Sequence, residues 1–290
     1  MSAPVLKWPG SKWTLAEWII TQMPSHDCYI EPFFGSGAVF FNKAPSNVET
    51  LNDRDSLVVN LFRIIRDKPE QLEAAIALTP WARAEYDSCR RDLASGDEIE
   101  NARRLLVAMW QAVGVRRASR DDESTAGSCG WRSRDTLHQS PTATWKRLPE
   151  RIRAASQRLL NAQIENRPAL DVIARHADPG VLIYADPPYV RSTRGVSAQR
   201  GTCFYAHEMS DEEHEQLLAA LKAHPGSVML SGYSCPLYEE TLTDWQRREI
   251  NVRIQNNQTR RETLYLNAIA VQRLKRDRAQ CQMFDEEVSL

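Results

Sequence analysis

Hydrophobic residues along the chain fall into short runs that alternate with stretches of helical spacing. The runs predict four buried strands, at residues 28–30, 48–51, 181–185 and 227–231. Strands that alternate with helices are typical of a largely parallel sheet covered by helices. Two later segments alternate apolar and polar positions as half-buried strands do, so they predict an antiparallel hairpin at the sheet edge. These segments are residues 248–254 and 263–271.

Helical spacing is clearest in three places. Leu57, Leu61 and Ile64 recur on one helical face, and residues 105–113 contain a second such pattern. A third helix is predicted to begin at Ser210, because this residue precedes three acids and then an apolar stripe. Each of these patterns is long enough to favour a helix over a strand.

Strand patterns nearly disappear between residues 69 and 161, where helical patterns continue. The centre of this stretch, residues 119–139, has no periodicity and is rich in Ser, Gly, Arg and Asp, which predicts a loop. We therefore expect an α/β domain made of residues 1–66 and 162–290. A helical insertion, residues 67–161, interrupts that domain.

Charge is balanced over the whole chain and unbalanced within it. The 290 residues are 42% hydrophobic and carry 37 Lys and Arg against 38 Asp and Glu, so net charge does not indicate a polyanionic partner. Between Arg103 and Arg158, however, twelve basic residues face five acids, a surplus of seven. This basic segment coincides with the helical insertion and could contact a polyanion.

Cysteines and apolar runs indicate the setting of the protein. The six cysteines show no CxxC pair and no His-linked metal spacing, so we expect reduced thiols in a cytoplasmic protein and no metal site. No run approaches the ~18 apolar residues that a membrane helix needs. We therefore expect no membrane association, and nothing in the sequence indicates an obligatory protein partner.

Residues 29–40, YIEPFFGSGAVF, predict a strand, a glycine-containing turn and a helix. Gly35 and Gly37 allow a tight turn and the close approach of a ligand to the backbone. A dinucleotide-binding loop would have a further glycine where Phe40 lies, so a dinucleotide is disfavoured. Taken alone, the two glycines could equally form only a turn.

An acidic pair follows the second predicted strand. A carboxylate at such a strand end can accept hydrogen bonds from both hydroxyls of a ribose, or it can cap the next helix. We assign ribose binding to Asp53 and capping to Asp55.

The most specific feature is the sequence DPPY that ends the apolar run at 181–185. Pro187 and Pro188 make a rigid loop that lacks backbone donors but keeps carbonyl acceptors. Asp186 adds a carboxylate and Tyr189 a planar face. This combination suits an amino group carried on a flat ring.

In order along the chain, these motifs resemble those of the Dam-like DNA adenine-N6 methyltransferases of the amino-alpha group. The matching stretches are residues 7–12 (KWPGSK), 31–40, 52–53 and 186–189. The resemblance covers most of residues 5–66 and 180–270. Pro9, Ser11 and the pair Arg54-Asp55 depart from the family pattern, but Trp8, Lys12 and Asp53 are retained.

The resemblance implies a seven-stranded S-adenosyl-L-methionine-dependent methyltransferase fold whose helical insertion is the target-recognition domain. It implies S-adenosyl-L-methionine as cofactor and double-stranded DNA as partner. The implied cofactor-binding residues are Trp8, Lys12, Glu31, Phe33, Gly35, Gly37, Asp53 and Asp186. Arginines of the insertion are the implied DNA contacts: Arg116, Arg117, Arg120, Arg132 and Arg134. The family's Asn-rich target-reading pattern is missing there, so a GATC target is not implied.

For catalysis, we expect the Asp186 carboxylate and the Pro187 carbonyl to accept the two N–H bonds of the adenine amino group. Pro188 would complete the rigid loop. Tyr189 would stack on the base through its ring rather than act through its hydroxyl. Because the amino nitrogen is not accessible inside a duplex, the base has to flip out.

Other functions remain open on sequence grounds. Enzymes with similar loops methylate cytosine N4, adenine in RNA or the amide of a protein glutamine. The basic insertion alone would suffice for a non-catalytic DNA-binding module. His207 and His214 flank an acidic helix start, but we interpret them as a polar loop residue and a helix-face residue rather than as metal ligands. Roles in restriction-modification, regulation or the protection of mobile elements all fit this sequence.

Overall fold

The structure is a computed structural model that describes residues 3–94, 96–113, 130–133, 141–193, 205–253 and 259–288. Its strands are β1 (Cys28–Glu31), β2 (Val48–Asn52), β3 (Ala162–Glu165), β4 (Val181–Ala185), β5 (Ser227–Gly232), β6 (Gln246–Arg253) and β7 (Thr259–Leu266). Its helices are α1 (Ala16–Ile20), α2 (Ser56–Asp67), α3 (Pro69–Ala77), α4 (Arg83–Arg91), α5 (Glu98–Trp110), α6 (Pro141–Lys146), α7 (Leu148–Leu159), α8 (Ala169–Arg175), α9 (Asp211–Ala223), α10 (Pro236–Thr241) and α11 (Ala268–Val288).

The seven strands form one mixed sheet in the order β3-β2-β1-β4-β5-β7-β6. The first five strands in this order, β3 to β5, pair in parallel, whereas β7 is antiparallel to both β5 and β6. The predicted hairpin at the sheet edge is therefore confirmed. The central position of β1 and β4 brings the ends of two motif-bearing strands side by side, since Ile30 pairs with Ile183.

One strand boundary was predicted wrongly. The alternating pattern at 263–271 suggested a strand to the end of that range, but β7 ends at Leu266 and α11 begins at Ala268. Asn267 explains the change, because its side-chain Oδ1 accepts a hydrogen bond from the backbone N–H of Ala270 at 2.9 Å. Such a contact satisfies a free donor in the first turn of a helix and stops the strand.

The predicted helix starts are confirmed. The Asp55 carboxylate accepts from the backbone N–H of Leu57 at 3.0 Å and caps α2. Ser210 forms a capping box with Glu213 at the start of α9. Because α2 buries the face that contains Leu61 and Ile64, its amphipathic pattern fixes the helix against the sheet.

The sheet has one hydrophobic core on each face, and β4 shows how the sequence builds both. Leu182 and Tyr184 belong to one cluster, and Ile183 and Ala185 belong to the other, as the two-residue period of a strand requires. The first cluster packs under α2, α5 and α7, and the second packs under α8, α9 and α10. A parallel strand covered on both sides explains why the run is apolar throughout.

Helices α3 to α7 lie in the chain between β2 and β3, within the predicted helical insertion. Their buried residues, among them Leu105 and Ile152, belong to the same cluster as Leu51 of the sheet. Arg158 of α7 also pairs with the buried Glu49 of β2, at 2.7 Å from Arg158 Nη2 to Glu49 Oε1. These helices and the sheet thus share one continuous core, and the boundaries of the insertion stay a prediction.

Within the described part of the chain, no helix combines the length and the apolar character that crossing a membrane requires.

Candidate active site

A cavity that opens to solvent lies at the carboxyl ends of β1, β2 and β4, and its empty space, counted together with the solvent at its opening, is about 1190 Å³. Open α/β sheets bind their ligands at this edge, because the loops that follow neighbouring parallel strands meet there. Eight of the predicted site residues line the cavity: Trp8, Lys12, Glu31, Phe33, Gly35, Asp53, Asp186 and Pro188. Gly37, Pro187 and Tyr189 are not among the residues that line it. Four separate stretches of sequence are therefore brought to one place.

Asp53 organises one side of the cavity. Its Oδ2 accepts from the backbone N–H of Gly35 at 2.8 Å, and its Oδ1 accepts from the backbone N–H of Asp55 at 2.8 Å. The carboxylate thereby links the glycine turn to the loop after β2. Asp53 also lines the cavity, so its carboxylate lies where it can meet a ligand.

The two glycines of the turn have different neighbours. Gly35 has a φ of +49°, and a Cβ there would come within 2.8 Å of the Trp8 ring, which lines the cavity. Gly37 has a φ of +64°, and a Cβ there would come within 2.4 Å of the Phe34 ring. Gly35 therefore lets the Trp8 wall approach the loop, whereas Gly37 serves the packing of the turn itself.

Lys12 and Asp186 form an ion pair at the mouth of the cavity. The Lys12 ammonium donates to Asp186 Oδ1 at 2.7 Å and to Oδ2 at 3.0 Å. The Lys12 side chain is 4% exposed and that of Asp186 is 19% exposed. A largely buried ion pair of this kind holds the carboxylate in one orientation.

Burial and charge act in opposite directions on this pair. Burial raises the pKa of Asp186 to about 6, although the neighbouring Lys12 lowers it, and the Glu262 carboxylate raises it further. For Lys12, burial lowers the pKa, but the Asp186 and Glu262 carboxylates outweigh burial and the net pKa is raised. Two acidic side chains, Asp186 and Glu262, therefore act on the single Lys12 ammonium.

Tyr189 is held by contacts that the sequence did not indicate. Its hydroxyl accepts from the Lys12 ammonium at 2.5 Å and donates to Glu262 Oε1 at 3.1 Å. Its ring stacks on Tyr233 with the centroids 4.3 Å apart. Since Tyr233 covers one ring face, a base that stacks on Tyr189 must use the other face or displace Tyr233. The sequence led us to expect a role for the Tyr189 ring alone, but in the structure the Tyr189 hydroxyl also forms hydrogen bonds.

Glu31 is a buried acid on the cavity wall. It ends β1, and its Oε2 accepts from the Tyr29 hydroxyl at 2.9 Å. Burial raises the pKa of Glu31 to about 8, and the negative charge of Asp186 acts in the same direction. Glu31 is therefore largely protonated at neutral pH and can donate a hydrogen bond into the cavity.

Several lining residues were missed by sequence reasoning. Pro168 and Leu170, at the start of α8, form part of the wall, as do Tyr205, Met209 and Leu217. These are ordinary apolar and aromatic residues with no motif around them. Tyr205, Met209, Leu217 and Glu262 lie within residues 180–270, over most of which the chain resembles the family, but no role was assigned to them.

Four of the five arginines predicted to contact DNA, Arg116, Arg117, Arg120 and Arg134, lie outside the described residues. Arg132 is described, and its backbone is fixed by hydrogen bonds from its N–H to Gln111 at 2.8 Å and from the Trp81 indole to its carbonyl at 3.0 Å. The Arg132 side chain is half-buried. DNA binding by these arginines stays a prediction.

Other arginines of the basic segment pair with acids of the protein. Arg103 contacts Glu85 and Glu100 at 2.6 Å, and Arg104 contacts Glu100 at 2.7 Å. The hydrogen bond from Arg103, together with the one from Arg104, lowers the pKa of Glu100 to about 2. Glu85 and Glu100 precede the segment in the chain, so the surplus counted along the sequence is partly neutralised in three dimensions.

The two histidines singled out in the sequence have different surroundings. His214 is buried, with its Nδ1 at 3.1 Å from the Tyr238 hydroxyl, and His207 lines the cavity. Among the described residues, no three His, Cys, Asp or Glu side chains are grouped so that they could hold a metal ion. Of the cysteines, Cys28, Cys89 and Cys235 are described as free thiols, and Cys129 and Cys203 lie outside the described residues.

The fold and the site together define a class of protein. A seven-stranded mixed sheet with an antiparallel β7, and with its cavity at the ends of β1, β2 and β4, is the methyltransferase fold. The sequence profile described as "D12 class N6 adenine-specific DNA methyltransferase" matches residues 8–262. The chain therefore belongs to the D12 class of N6 adenine-specific DNA methyltransferases, a family of S-adenosyl-L-methionine-dependent enzymes.

Individual relatives agree with this family. The chain is 29% identical over 263 residues to the type II methyltransferase M1.LlaDCHI of Lactococcus lactis subsp. cremoris, covering 85% of this chain and 87% of that one. It is 25% identical over 232 residues to the DNA adenine methylase of Serratia marcescens, covering 73% and 81% of the two chains. The DNA adenine methylase of Salmonella typhi is 27% identical over 244 residues, covering 81% and 82%. Adenine N6 in DNA is thus favoured over cytosine N4, RNA, protein amides and a non-catalytic module.

Proposed function

We propose that the protein binds S-adenosyl-L-methionine in the cavity and methylates the N6 of an adenine that has flipped out of duplex DNA. The observation that carries this proposal is the Asp186 carboxylate, fixed by Lys12 at 2.7 Å on the edge of the cavity. In that position Asp186 can hold an amino group of a base against a ligand that occupies the cavity. The family match supplies the reaction class.

The residues that line the cavity fit the proposed cofactor. Asp53 offers acceptor capacity for two ribose hydroxyls, and Trp8 and Phe33 offer flat apolar surface for the adenine ring of the cofactor. At the other end, Asp186 supplies negative charge near a positively charged sulfonium, and protonated Glu31 supplies a donor. When bound, S-adenosyl-L-methionine supplies an electrophilic methyl group and a neutral thioether leaving group.

The residues of the DPPY loop would act on the base. In this proposal the Asp186 carboxylate and the Pro187 carbonyl each accept one N–H of the adenine amino group, which turns the nitrogen lone pair toward the methyl group. Lys12 holds Asp186 rather than the cofactor, since its ammonium donates to both Asp186 oxygens. As the amino nitrogen takes up the methyl group that the cofactor would supply, one N6 proton would pass first to Asp186 and then to solvent. Catalysis is by positioning and electrostatics.

Base flipping is the remaining element of the proposal. Extruding a base costs about a few kcal/mol, and stacking on an aromatic ring returns about 1–3 kcal/mol. Tyr189, which stacks on Tyr233 in this structure, is the ring that would receive the base.

The test is methyl transfer from radiolabelled S-adenosyl-L-methionine to long duplex DNA of mixed sequence, followed by digestion and identification of the methylated nucleoside. The proposal expects N6-methyladenine as the product, no label in RNA or protein, and none with Asp186→Ala. Label in N4-methylcytosine, or in RNA alone, would reject it. Once the methylated site is mapped, 2-aminopurine at the target position should brighten when the enzyme binds, and an unchanged signal would argue against flipping.

A further inference from the structure

Glu262 is a buried carboxylate that the proposed reaction does not yet use. Glu262 lies on β7, in the antiparallel hairpin, and is 8% exposed. Its Oε1 and Oε2 are 3.1 Å and 3.3 Å from the Tyr189 hydroxyl, which belongs to the loop after β4. The contact therefore ties the hairpin to the DPPY loop.

The direction of the hydrogen bonds follows from the groups involved. A lysine ammonium can only donate, and an ionised carboxylate can only accept. The Tyr189 oxygen therefore accepts from Lys12, and its proton is donated to Glu262. Lys12 is thus balanced by two carboxylates, Asp186 directly and Glu262 through the tyrosine hydroxyl.

We propose that Glu262 is a positioning residue for methyl transfer, which fixes Tyr189 and shares the charge of Lys12 so that Asp186 remains free to accept the adenine amino group. Without the second carboxylate, the ammonium would be neutralised by Asp186 alone. The Asp186 oxygens would then be engaged more strongly by Lys12 and would be weaker acceptors for substrate. This inference rests on the proposed function, in which Asp186 accepts that hydrogen bond.

The charged surroundings of Asp186 give the proposal a measurable signature. Lys12 from the N-terminal loop and Glu262 from β7 act on the pKa of Asp186 directly. Beyond burial, the charge of Asp186 in turn raises the pKa values of Glu31 from β1, Tyr184 from β4, Tyr189 from the same loop and Tyr238 from α10. Because Glu262 raises the pKa of Asp186, removal of that negative charge lowers this pKa. A variant that loses the charge but keeps the shape should therefore extend activity to more acidic pH.

The decisive variant is Glu262→Gln, which keeps an acceptor and the side-chain volume but removes the charge. Its matched control is Glu249→Gln on the partner strand β6, where the Glu249 side chain is 39% exposed and pairs with Arg261 at 3.3 Å. Single-turnover methyl transfer to mixed-sequence duplex DNA would be measured with saturating cofactor across pH. We expect Glu262→Gln to be about tenfold slower at neutral pH, as the loss of one charge-assisted hydrogen bond implies. The acidic limb of its pH–rate profile should move to lower pH. The control Glu249→Gln should have the rate and the pH profile of wild type.

A double-mutant cycle tests whether Glu262 acts through Tyr189. Tyr189→Phe removes the bridging hydroxyl and keeps the ring, so it should show a similar rate loss of about tenfold. The double variant should then be no slower than the worse single variant, because both changes break the same chain of hydrogen bonds. Tyr189→Phe also tests the bridge if Glu262→Gln does not fold.

The outcomes separate cleanly. The proposal is overturned if Glu262→Gln retains the wild-type rate and pH profile, if Tyr189→Phe does so, or if the two losses multiply. Calorimetric binding of S-adenosyl-L-methionine should be unchanged in Glu262→Gln, and a rate loss that is matched by lost cofactor binding would also reject a positioning role. Failure of the proposed function would show instead as the absence of N6-methyladenine with the wild-type protein.

Discussion

The cavity and the basic segment differ in how their charged residues are used. At the cavity, Lys12, Asp186 and Glu262 come from three distant parts of the chain and form one buried network. In the basic segment, Arg103 and Arg158 are just as firmly paired, but with carboxylates that stabilise helix packing. Both regions contain ion pairs that are at least partly buried, and Lys12 and Asp186 of the first region line the cavity.

The difference shows what makes a charge informative. A charge at the carboxyl end of a parallel strand has a geometric reason to meet a ligand. A charged residue on a helix has many oppositely charged residues within reach. The net charge counted along a sequence segment therefore says little about the charge of the folded surface. Arg104 illustrates this, because it extends across to Asp92 and Glu100 rather than toward solvent.

The largest effect is expected for Asp186→Ala, which removes the acceptor at the reacting nitrogen. Single-turnover methyl transfer should fall about a thousandfold, as it does when a preorganised hydrogen-bonding group is removed from other enzymes. The affinity for DNA should stay close to wild type, whereas the thermal midpoint should fall, because the buried Lys12 ammonium loses its direct ion-pair partner. Asp186→Asn keeps one side-chain oxygen, so its methyl-transfer rate should lie between those of wild type and Asp186→Ala. If the alanine variant kept activity within about tenfold of wild type, the assigned role of Asp186 would be wrong.

Smaller effects are expected for two acids that line the cavity, Asp53 and Asp55, and the two should differ in kind. Asp53→Ala should weaken the binding of S-adenosyl-L-methionine about ten- to hundredfold, since it removes a charged hydrogen-bond acceptor. Asp55→Ala should leave that affinity nearly unchanged and lower stability by about 1 kcal/mol, because Asp55 caps α2. Calorimetry and thermal unfolding measure both effects. The reverse pattern would transfer the ribose contact to Asp55.

Glu31 gives a pH-dependent effect. Its pKa is about 8 in the folded protein against an ordinary value of 4.5, so the folded state retains this proton more readily than the unfolded state does. The stability penalty of ionising Glu31 is absent below pH 4.5 and grows as the pH rises toward about 8. Glu31→Gln removes the titration, so its thermal midpoint should fall less than that of wild type between these pH values. Parallel curves for the two proteins would show that Glu31 does not titrate in this range.

The smallest effects should distinguish Arg132, which is predicted to contact DNA, from an arginine of the basic segment that pairs with carboxylates of the protein. Arg132→Ala should flatten the slope of log DNA affinity against log salt by about 0.9 if Arg132 contacts a phosphate. Arg103→Ala should leave that slope unchanged and lower the thermal midpoint instead, because Arg103 contacts Glu85 and Glu100. An altered salt slope in Arg103→Ala would show that the paired arginines also reach DNA.

Much of the fold could be predicted because its periodic patterns are long. The apolar run of β4, the stripe of α2 and the alternation of β6 each fit a single type of element. The end of β7 could not be predicted, since the cap that stops it depends on the Asn267 side chain rather than on hydrophobicity. Helix α4 was also not distinguished within the insertion, because only Tyr86 and Cys89 are buried along it.

The site was predictable as far as its motifs reach. Trp8, Lys12, Asp53 and Asp186 do converge on one cavity. Asp53 and Asp186 follow neighbouring strands at the same sheet edge, whereas Trp8 and Lys12 come from the loop before α1. The role of Glu262 depends on an antiparallel pairing of β7 that brings this residue beside Tyr189. A contact between positions so far apart in the sequence leaves no local pattern.

The shared core of the sheet and the insertion helices also bears on the engineering of new specificities. Exchanging all of residues 67–161 for the corresponding part of a relative would replace Leu105 and Ile152, and the new side chains would not be matched in shape to the core that these two share with the sheet. A smaller graft avoids this, because the chain departs at Val113 and returns at Gly130, and a backbone hydrogen bond of 2.7 Å joins these two residues. Chimaeras that replace only residues 114–129 would keep the scaffold intact while changing the arginines between those points.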